Sequence, residues 1–308
     1  MPDKTFKNLA FLWLDSKKRS VKLSTSAAYA LIIQNHLLPI FSDITDVDND
    51  SVQKMVDENS MSGMSRKTIQ DILTVLKMIL RFAAAKGYIN AVVLDVSIPN
   101  GKTASKLDIF KPEEQACILK YALSEFSFRN LGLAISVTTG MRIGEICALK
   151  WEDVNLKDGV FKVNKTISRV YLNEDGKKYT RLVISSPKSK SSEREIPISS
   201  CLKETLHHLK KLEKDEYFVL TGGLLPTEPT SYRSYYNKVL KKLNLPKIKF
   251  HALRHSFATR CIESKCDYKT VSAIMGHSSI KTTMDIYVHP DHHQKKICID
   301  KVTRILKI

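Results

Sequence analysis

No run of eighteen apolar residues occurs anywhere in the chain, so nothing in the sequence reads as a membrane-crossing helix. The first twenty residues carry charges throughout and lack the apolar core and small-residue cleavage site of a secretory signal. Six cysteines are present (Cys117, Cys147, Cys201, Cys261, Cys266 and Cys298), but no two make a CxxC pair. Most lie in apolar helical patterns and read as reduced thiols of a cytosolic protein. Glycine and proline are not in excess, no low-complexity tract argues for disorder, and no internal repeat is evident. A G-x-x-x-x-G-K-[ST] loop and a carboxylate cluster are both missing, so neither a nucleotide nor a metal ion is called for.

What the chain has is length and positive charge. Its 308 residues suffice for two domains of ordinary size, and 43% hydrophobic residues can supply their cores. Lys and Arg number 49 against 32 acids, a formal charge of +17. The surplus is uneven: residues 1–104 carry a net +3 and residues 105–308 a net +14. A polyanionic partner would therefore lean on the second half.

The first ninety residues read as helices. Phe6, Leu9, Ala10 and Trp13 recur at the spacing that gathers one apolar stripe. A second helix is expected over about 24–39, ending before Pro39, and a short third over 49–59 with Asn49 or Asp50 as N-cap. The fourth opens at Ser65, gathers Ile69, Leu73, Leu76, Leu80 and Ala83 on one face and stops at Gly87. Residues 1–96 thus form a small four-helix bundle. The basic, turn-rich stretch 97–110, with Pro99, Asn100, Gly101 and Lys102, is the expected linker.

Residues 111–308 form the second expected domain. A helix opens at Pro112, a second covers about 130–139 and a short one runs from Arg142 to Lys150. The period then changes. GVFKVN, ISRVYL, RLVISS and EREIPI, within 159–198, read as strands of one small antiparallel sheet, with turns at Asp175–Gly176 and Lys188–Ser192. Helices return over about 200–213, 229–243, 250–264, 268–275 and 279–287. A terminal amphipathic helix, 297–308, lines up Cys298, Val302, Ile305 and Leu306. The fold class is mainly α: a helical bundle followed by a mixed α+β domain.

Four segments could carry chemistry. In TTGMRIGEICALKW, Arg142 stands at a helix start where free N–H groups also favour an anion, with Glu145 three residues on. In HALRH, His251, Arg254 and His255 share one helix face. Two His at that spacing could bind zinc, but Ala252 stands where a zinc protease needs Glu, and the adjacent Arg opposes a cation. In MGHSSIKTTMDIYVH, His277 lies in a turn and Tyr287 at the end of the helix that follows. In PKSKSSEREIPI, Lys188 and Lys190 tip a hairpin. By itself each has an ordinary reading: a surface ion pair, a capping histidine, a tyrosine with a wet hydroxyl, a solvated tip.

Taken together, TGMRIGEICALKW, the hairpin lysine, HALRH, MGH and the tyrosine ten residues beyond that His resemble the tyrosine recombinase, or phage integrase, family. The resemblance covers about two-thirds of the chain directly, and the preceding helices look like the family's core-binding domain. It implies a C-shaped clamp on double-stranded DNA and a site-specific recombinase that cleaves and rejoins strands through a 3′-phosphotyrosyl bond on Tyr287. Arg142 and Arg254 would hold the phosphate and His277 would hydrogen-bond it. His251 would assist proton transfer at Tyr287, Lys188 would protonate the departing 5′-oxygen, and Glu145 would orient Arg142. Lys190 is the alternative to Lys188. No metal or other cofactor is implied, because the phosphotyrosyl bond retains the energy of the broken phosphodiester.

Arg66, Lys67, Lys102 and Lys190 are candidate DNA-backbone contacts. The resemblance also implies self-association as a tetramer on DNA, accessory DNA-bending or directionality proteins, and a cytoplasmic, nucleoid-associated place in a bacterium. The chain opens at the first bundle helix, without the extra amino-terminal domain that many phage integrases use for arm-type sites. That keeps Xer-like resolvase and invertase roles open beside integration and excision. The other readings are a DNA-binding protein that keeps the fold without cutting, which predicts a broken site, and a type IB topoisomerase with the same chemistry.

Overall fold

The computed structural model describes residues 4–99, 108–174, 177–187, 190–287 and 292–306; at 173, 174, 177, 178, 190, 286, 292–295, 297 and 298 it describes the backbone alone. The chain divides into two compact units, one formed by residues 1–105 with 170–181 and the other by 106–169 with 182–308.

In the first unit, α1 (Phe6–Lys18), α2 (Leu23–Ile32), α3 (Leu38–Phe41), α4 (Asn49–Met61) and α5 (Arg66–Ala85) enclose a core of Phe6, Trp13, Leu37, Phe41, Met55, Leu76 and their neighbours. The stripe expected on the first helix is buried, and so is the face expected on α5. Ser65 caps α5 by accepting from the Thr68 N–H at 3.1 Å, a contact worth about 1 kcal/mol. Two details depart from expectation. The helical path does not end before Pro39, because a π turn over Ile33–Leu37 widens the chain and sets the proline in the first turn of α3, where its missing N–H leaves no bond unmade. The N-cap of α4 is Asp48, whose carboxylate accepts from Ser51 N at 2.7 Å.

The stretch after α5 does not leave the bundle at residue 97. Asn49 accepts from Asp95 N at 2.9 Å, and Gln53 both accepts from Ser97 N at 2.9 Å and donates to Ser97 O at 3.0 Å. Two side-chain amides thereby stand in for a neighbouring strand.

The second unit is built around α7 (Phe128–Thr139), buried along most of its length. Against it pack α6 (Pro112–Ser124), α10 (Pro229–Lys242) and α11 (His251–Glu263). α8 (Ile143–Ala148), α9 (Ser200–Leu212), α12 (Tyr268–Met275), α13 (Ile280–Tyr287) and α14 (His292–Ile305) complete the helices. Phe110, the last residue of the expected linker, is fully buried in this core, and its N–H donates to Ser256 Oγ at 2.8 Å.

The strands form two sheets where one was expected. β1 (Val154–Asn155), β2 (Val160–Val163) and β5 (Arg194–Pro197) make an antiparallel sheet in the order β1-β2-β5, with Phe161 opposite Ile196 and Val163 opposite Arg194. β3 (Thr166–Glu174) and β4 (Lys177–Ser185) pair separately. β1 escaped the sequence because two residues carry no readable alternation. The turn expected at Asp175–Gly176 lies outside the described residues. At the carboxyl end, helix begins at His292, five residues before the expected 297. Its Ile299, Val302 and Ile305, and Leu306 just beyond it, are exposed. No described helix is long and apolar enough to cross a membrane.

Candidate active site

Two helix ends and two arginines build the floor of the site. α7 and α12 each end in a left-handed glycine, Gly140 at φ 63° and Gly276 at φ 63°. The last carbonyls of a helix have no partner within it and carry the negative end of its dipole. Arg254, on α11 and only 3% exposed, donates to Gly140 O at 2.9 Å and to Met275 O at 2.5 Å. Arg142, the residue entering α8, donates to Gly276 O at 3.2 Å. Each arginine is thus held by the end of a helix other than its own.

Glu145 is the buried counter-charge. One carboxylate oxygen accepts from Arg142 N at 2.8 Å, closing the first turn of α8, and the other accepts from Arg142 Nη1 at 2.8 Å. Arg194 grips the same carboxylate with both terminal nitrogens, at 3.1 and 3.0 Å. Its Nε donates to Ile274 O at 2.5 Å, tying β5 to the last turn of α12. Burial would raise the Glu145 pKa, but the Arg194 hydrogen bonds and charge, with help from Arg142, hold it below the ordinary carboxylate value. Arg254 is pushed down to about 9, first by burial and then by Arg142, although Glu145 opposes both. Three guanidiniums against one carboxylate make an anion site.

A cleft of about 630 Å³ opens on this floor, lined by Arg142, Glu145, Thr166, Pro187, Ser192, Gly276, His277, Ser278 and Thr282. His277 Nδ1 is 2.8 Å from the fully buried Thr283 hydroxyl. A neutral ring that accepts there carries its proton on Nε2, the form that donates to a phosphate oxygen. Its pKa is lowered to about 4 by burial and then by Arg254, Arg142 and Arg194. Tyr287 ends α13, only 9% exposed and packed beside Ala258, Val271 and Met275. Burial raises the phenol's pKa, and Arg254 and Arg142 oppose that shift.

Arg142, Glu145, Arg254, His277 and Tyr287 therefore come together from four segments: the start of α8, α11, the turn after α12 and the end of α13. His251 stands at the start of α11 with its ring edge-on to His255, centroids 4.6 Å apart. It is His255 whose Nδ1 lies 2.7 Å from the Tyr287 hydroxyl. Lys188 lies outside the described residues, and of Lys190 only the backbone is described, in a short turn (Lys190–Ser192). The flanks of that hairpin tip, Pro187 and Ser192, line the cleft. Lys102 is also outside the described residues. In the first unit, Lys67 pairs with Asp71 at 2.5 Å, and Arg66 donates to Pro99 O at 3.3 Å; both side chains are exposed.

Sequence reasoning missed Arg194 and gave His255 no role. Both had a signal. The alternation that turns Ile196 and Ile198 inward places Arg194 on the same face, and an inward arginine needs a carboxylate. His255 was read on the face of His251 and Arg254, but periodicity does not say which imidazole meets the tyrosine. Among the described residues, no group of three or more His, Cys, Asp or Glu side chains is arranged to hold a metal ion.

The model of the phage integrase family matches residues 111–294, and that of its N-terminal SAM-like domain matches residues 5–58. A tyrosine recombinase XerC-like protein of Caldanaerobacter subterraneus subsp. tengcongensis is 28% identical over 97% of this chain and 82% of its own length. The ICEBs1 integrase of Bacillus subtilis is 24% identical over 98% of this chain and 83% of its own. Among solved structures, the Tn1549 transposon integrase in complex with a circular intermediate DNA superposes with a TM-score of 0.73 at 22% identity, covering 96% of this chain and 99% of that one. A λ integrase dimer bound to a core site gives 0.62 at 19% identity, covering 91% and 97%.

Proposed function

The chain belongs to the phage integrase family of tyrosine recombinases, enzymes that cleave and rejoin DNA, and we propose that it serves a mobile element with Tyr287 as its nucleophile. The observation that carries this is the convergence of Arg142, Arg254, His277 and Tyr287 on a floor with more guanidinium than carboxylate. A scissile phosphate would supply the missing negative charge.

On this reading Tyr287 Oη attacks phosphorus and the bond to the 5′-oxygen breaks, leaving a 3′-phosphotyrosyl link. Arg142 and Arg254, planar and charged at neutral pH, meet the non-bridging oxygens, and His277 donates a further hydrogen bond. Loss of one such preorganised donor costs roughly 2.7–4 kcal/mol of transition-state stabilisation. The hairpin lysine, Lys188 or in its place Lys190, protonates the leaving 5′-oxygen. Glu145 keeps Arg142 in place. Rejoining runs the same steps backwards, so no nucleotide is spent.

The Tn1549 and λ integrase structures hold DNA, the latter fold also as a tetramer on a Holliday junction, and the same partner and assembly are proposed here. The exposed apolar stripe of α14 is the surface through which protomers would join on DNA. Arg66, Lys67 and Lys102 would touch the DNA backbone, accessory DNA-bending or directionality proteins would set the direction, and the reaction would take place in the cytoplasm at the nucleoid. The surplus charge of residues 105–308 should give salt-sensitive binding, with a log–log slope near −0.9 per phosphate neutralised.

The deciding experiment uses a nicked suicide substrate made from the joined ends of the element that carries the gene. A covalent protein–DNA adduct is expected with the native chain and none with Tyr287→Phe. An adduct that survives this substitution would refute the nucleophile assignment.

A further inference from the structure

We propose that His255 is the base that takes the phenolic proton from Tyr287 as the nucleophile attacks. The proposal rests on the recombinase reading above and adds a catalytic residue to it. Its ground is contact: His255 Nδ1 lies 2.7 Å from Tyr287 Oη, with the two ring centroids 5.7 Å apart. His251 meets the His255 ring edge-on instead, at 4.6 Å. A proton moves directly only between atoms already in hydrogen-bond reach, and among the described histidines His255 holds that place.

The surroundings favour the same direction of transfer. His255 faces His251 and Arg254 on its own helix, Tyr287 on α13, His277 in the turn before α13 and Asp108 from the strand of chain before α6. Burial, and after it Arg254, lowers its proton affinity, while Asp108 works the other way, so the ring is neutral at neutral pH and can accept. The tyrosine needs such an acceptor, because burial holds its hydroxyl in the neutral form. When Oη bonds to phosphorus, the proton passes to Nδ1. The electron pair of the broken P–O bond leaves on the 5′-oxygen, which takes its own proton from the hairpin lysine. In rejoining, the 5′-hydroxyl attacks, its proton returns to the lysine, and the His255 imidazolium reprotonates the tyrosine as it departs. Protons and electron pairs balance in both directions.

The test is single-turnover adduct formation on the suicide substrate between pH 5.5 and 9, with an ordinary 5′-oxygen and with a bridging 5′-sulfur that leaves without a proton. His255→Gln keeps a hydrogen-bonding side chain but cannot serve as the base. It is expected to slow cleavage by roughly 10²- to 10⁴-fold on both substrates and to flatten the acid limb of the pH profile. Lys188→Ala or Lys190→Ala, whichever removes the acid, should be slow on oxygen and restored on sulfur. His255→Ala should regain rate when imidazole is added, which a merely misfolded variant would not. Native rate and pH profile in His255→Gln would overturn the assignment and leave the recombinase reading standing. Faster cleavage by that variant would overturn it too, making the contact a lock on the tyrosine. If the native chain forms no adduct at all, the recombinase reading falls and this assignment with it.

Discussion

Replacing Arg194 with Met removes both guanidinium contacts to Glu145 and keeps the side chain's apolar length. Arg194 and Glu145 side chains are 6% and 3% exposed, so the pair sits out of water. Breaking a buried pair from one side costs about 3–5 kcal/mol, because the remaining charge is left poorly compensated. Glu145 keeps its two bonds from Arg142, which places the expected loss near the lower bound, about 3 kcal/mol. For units of 150–250 residues that corresponds to a fall in Tm of about 6–12 °C. The chain offers a clean reporter, since its two tryptophans fall one in each unit and both are buried: Trp13 in the core of the first and Trp151 in the core of the second. In a Trp13→Phe background, urea unfolding followed by Trp151 fluorescence should show the loss. In a Trp151→Phe background, Trp13 should report almost none. Glu145→Gln combined with Arg194→Met should cost less than the two singles together, by about 0.5–3 kcal/mol of coupling. The sign with pH is also fixed. The lowered Glu145 pKa contributes stability that is present above the ordinary carboxylate range and lost as pH falls through the folded-state value. The gap between native and variant should therefore be full at pH 7 and shrink in acid. A loss under about 1 kcal/mol, the level of an exposed ion pair, would refute the claim that Arg194 supports the site.

Acid should act oppositely on folding and on DNA binding. His277 has a folded-state pKa near 4 against an ordinary 6.5, so its share of stability is present above pH 6.5 and is lost as pH falls toward 4. A bound phosphate would offset the arginine field and raise that pKa, so binding should take up protons and tighten over the same window; calorimetry in buffers of different ionisation enthalpy would reveal no uptake if His277 does not meet the phosphate. Deleting residues 297–308 should weaken strand exchange more than single-site binding, because it strips the exposed stripe of Ile299, Val302, Ile305 and Leu306. Equal loss in a gel-shift and a recombination assay would count against that role.

The parts of this molecule that the sequence made legible are those with a repeat. The face of α5 could be read because one period holds from Ile69 to Ala83, and the Ser65 cap because its oxygen type is local chemistry. Arg142, Arg254, His277 and Tyr287 could be read because their motifs resemble those of a family. What stayed hidden depends on partners distant in sequence. Arg194 matters through Glu145, forty-nine positions away, and through the end of α12, and no local spacing encodes either. His255 and His251 are one turn apart, and only the arrival of α13 distinguishes them. Pro39 misled because proline reads as a stop unless a π turn upstream makes room for it.

The left-handed glycines at the ends of α7 and α12 bear on how inactive relatives would be recognised. A Cβ on Gly140 would come within 2.6 Å of the Phe257 ring, and one on Gly276 within 3.0 Å of the Arg194 guanidinium, each at a φ that other residues rarely adopt. In a random-mutation selection for recombination, alleles at these two positions should cluster with those at Tyr287, although neither glycine has a side chain to take part in the reaction. A decaying copy of the gene could thus keep every reactive residue and still be dead.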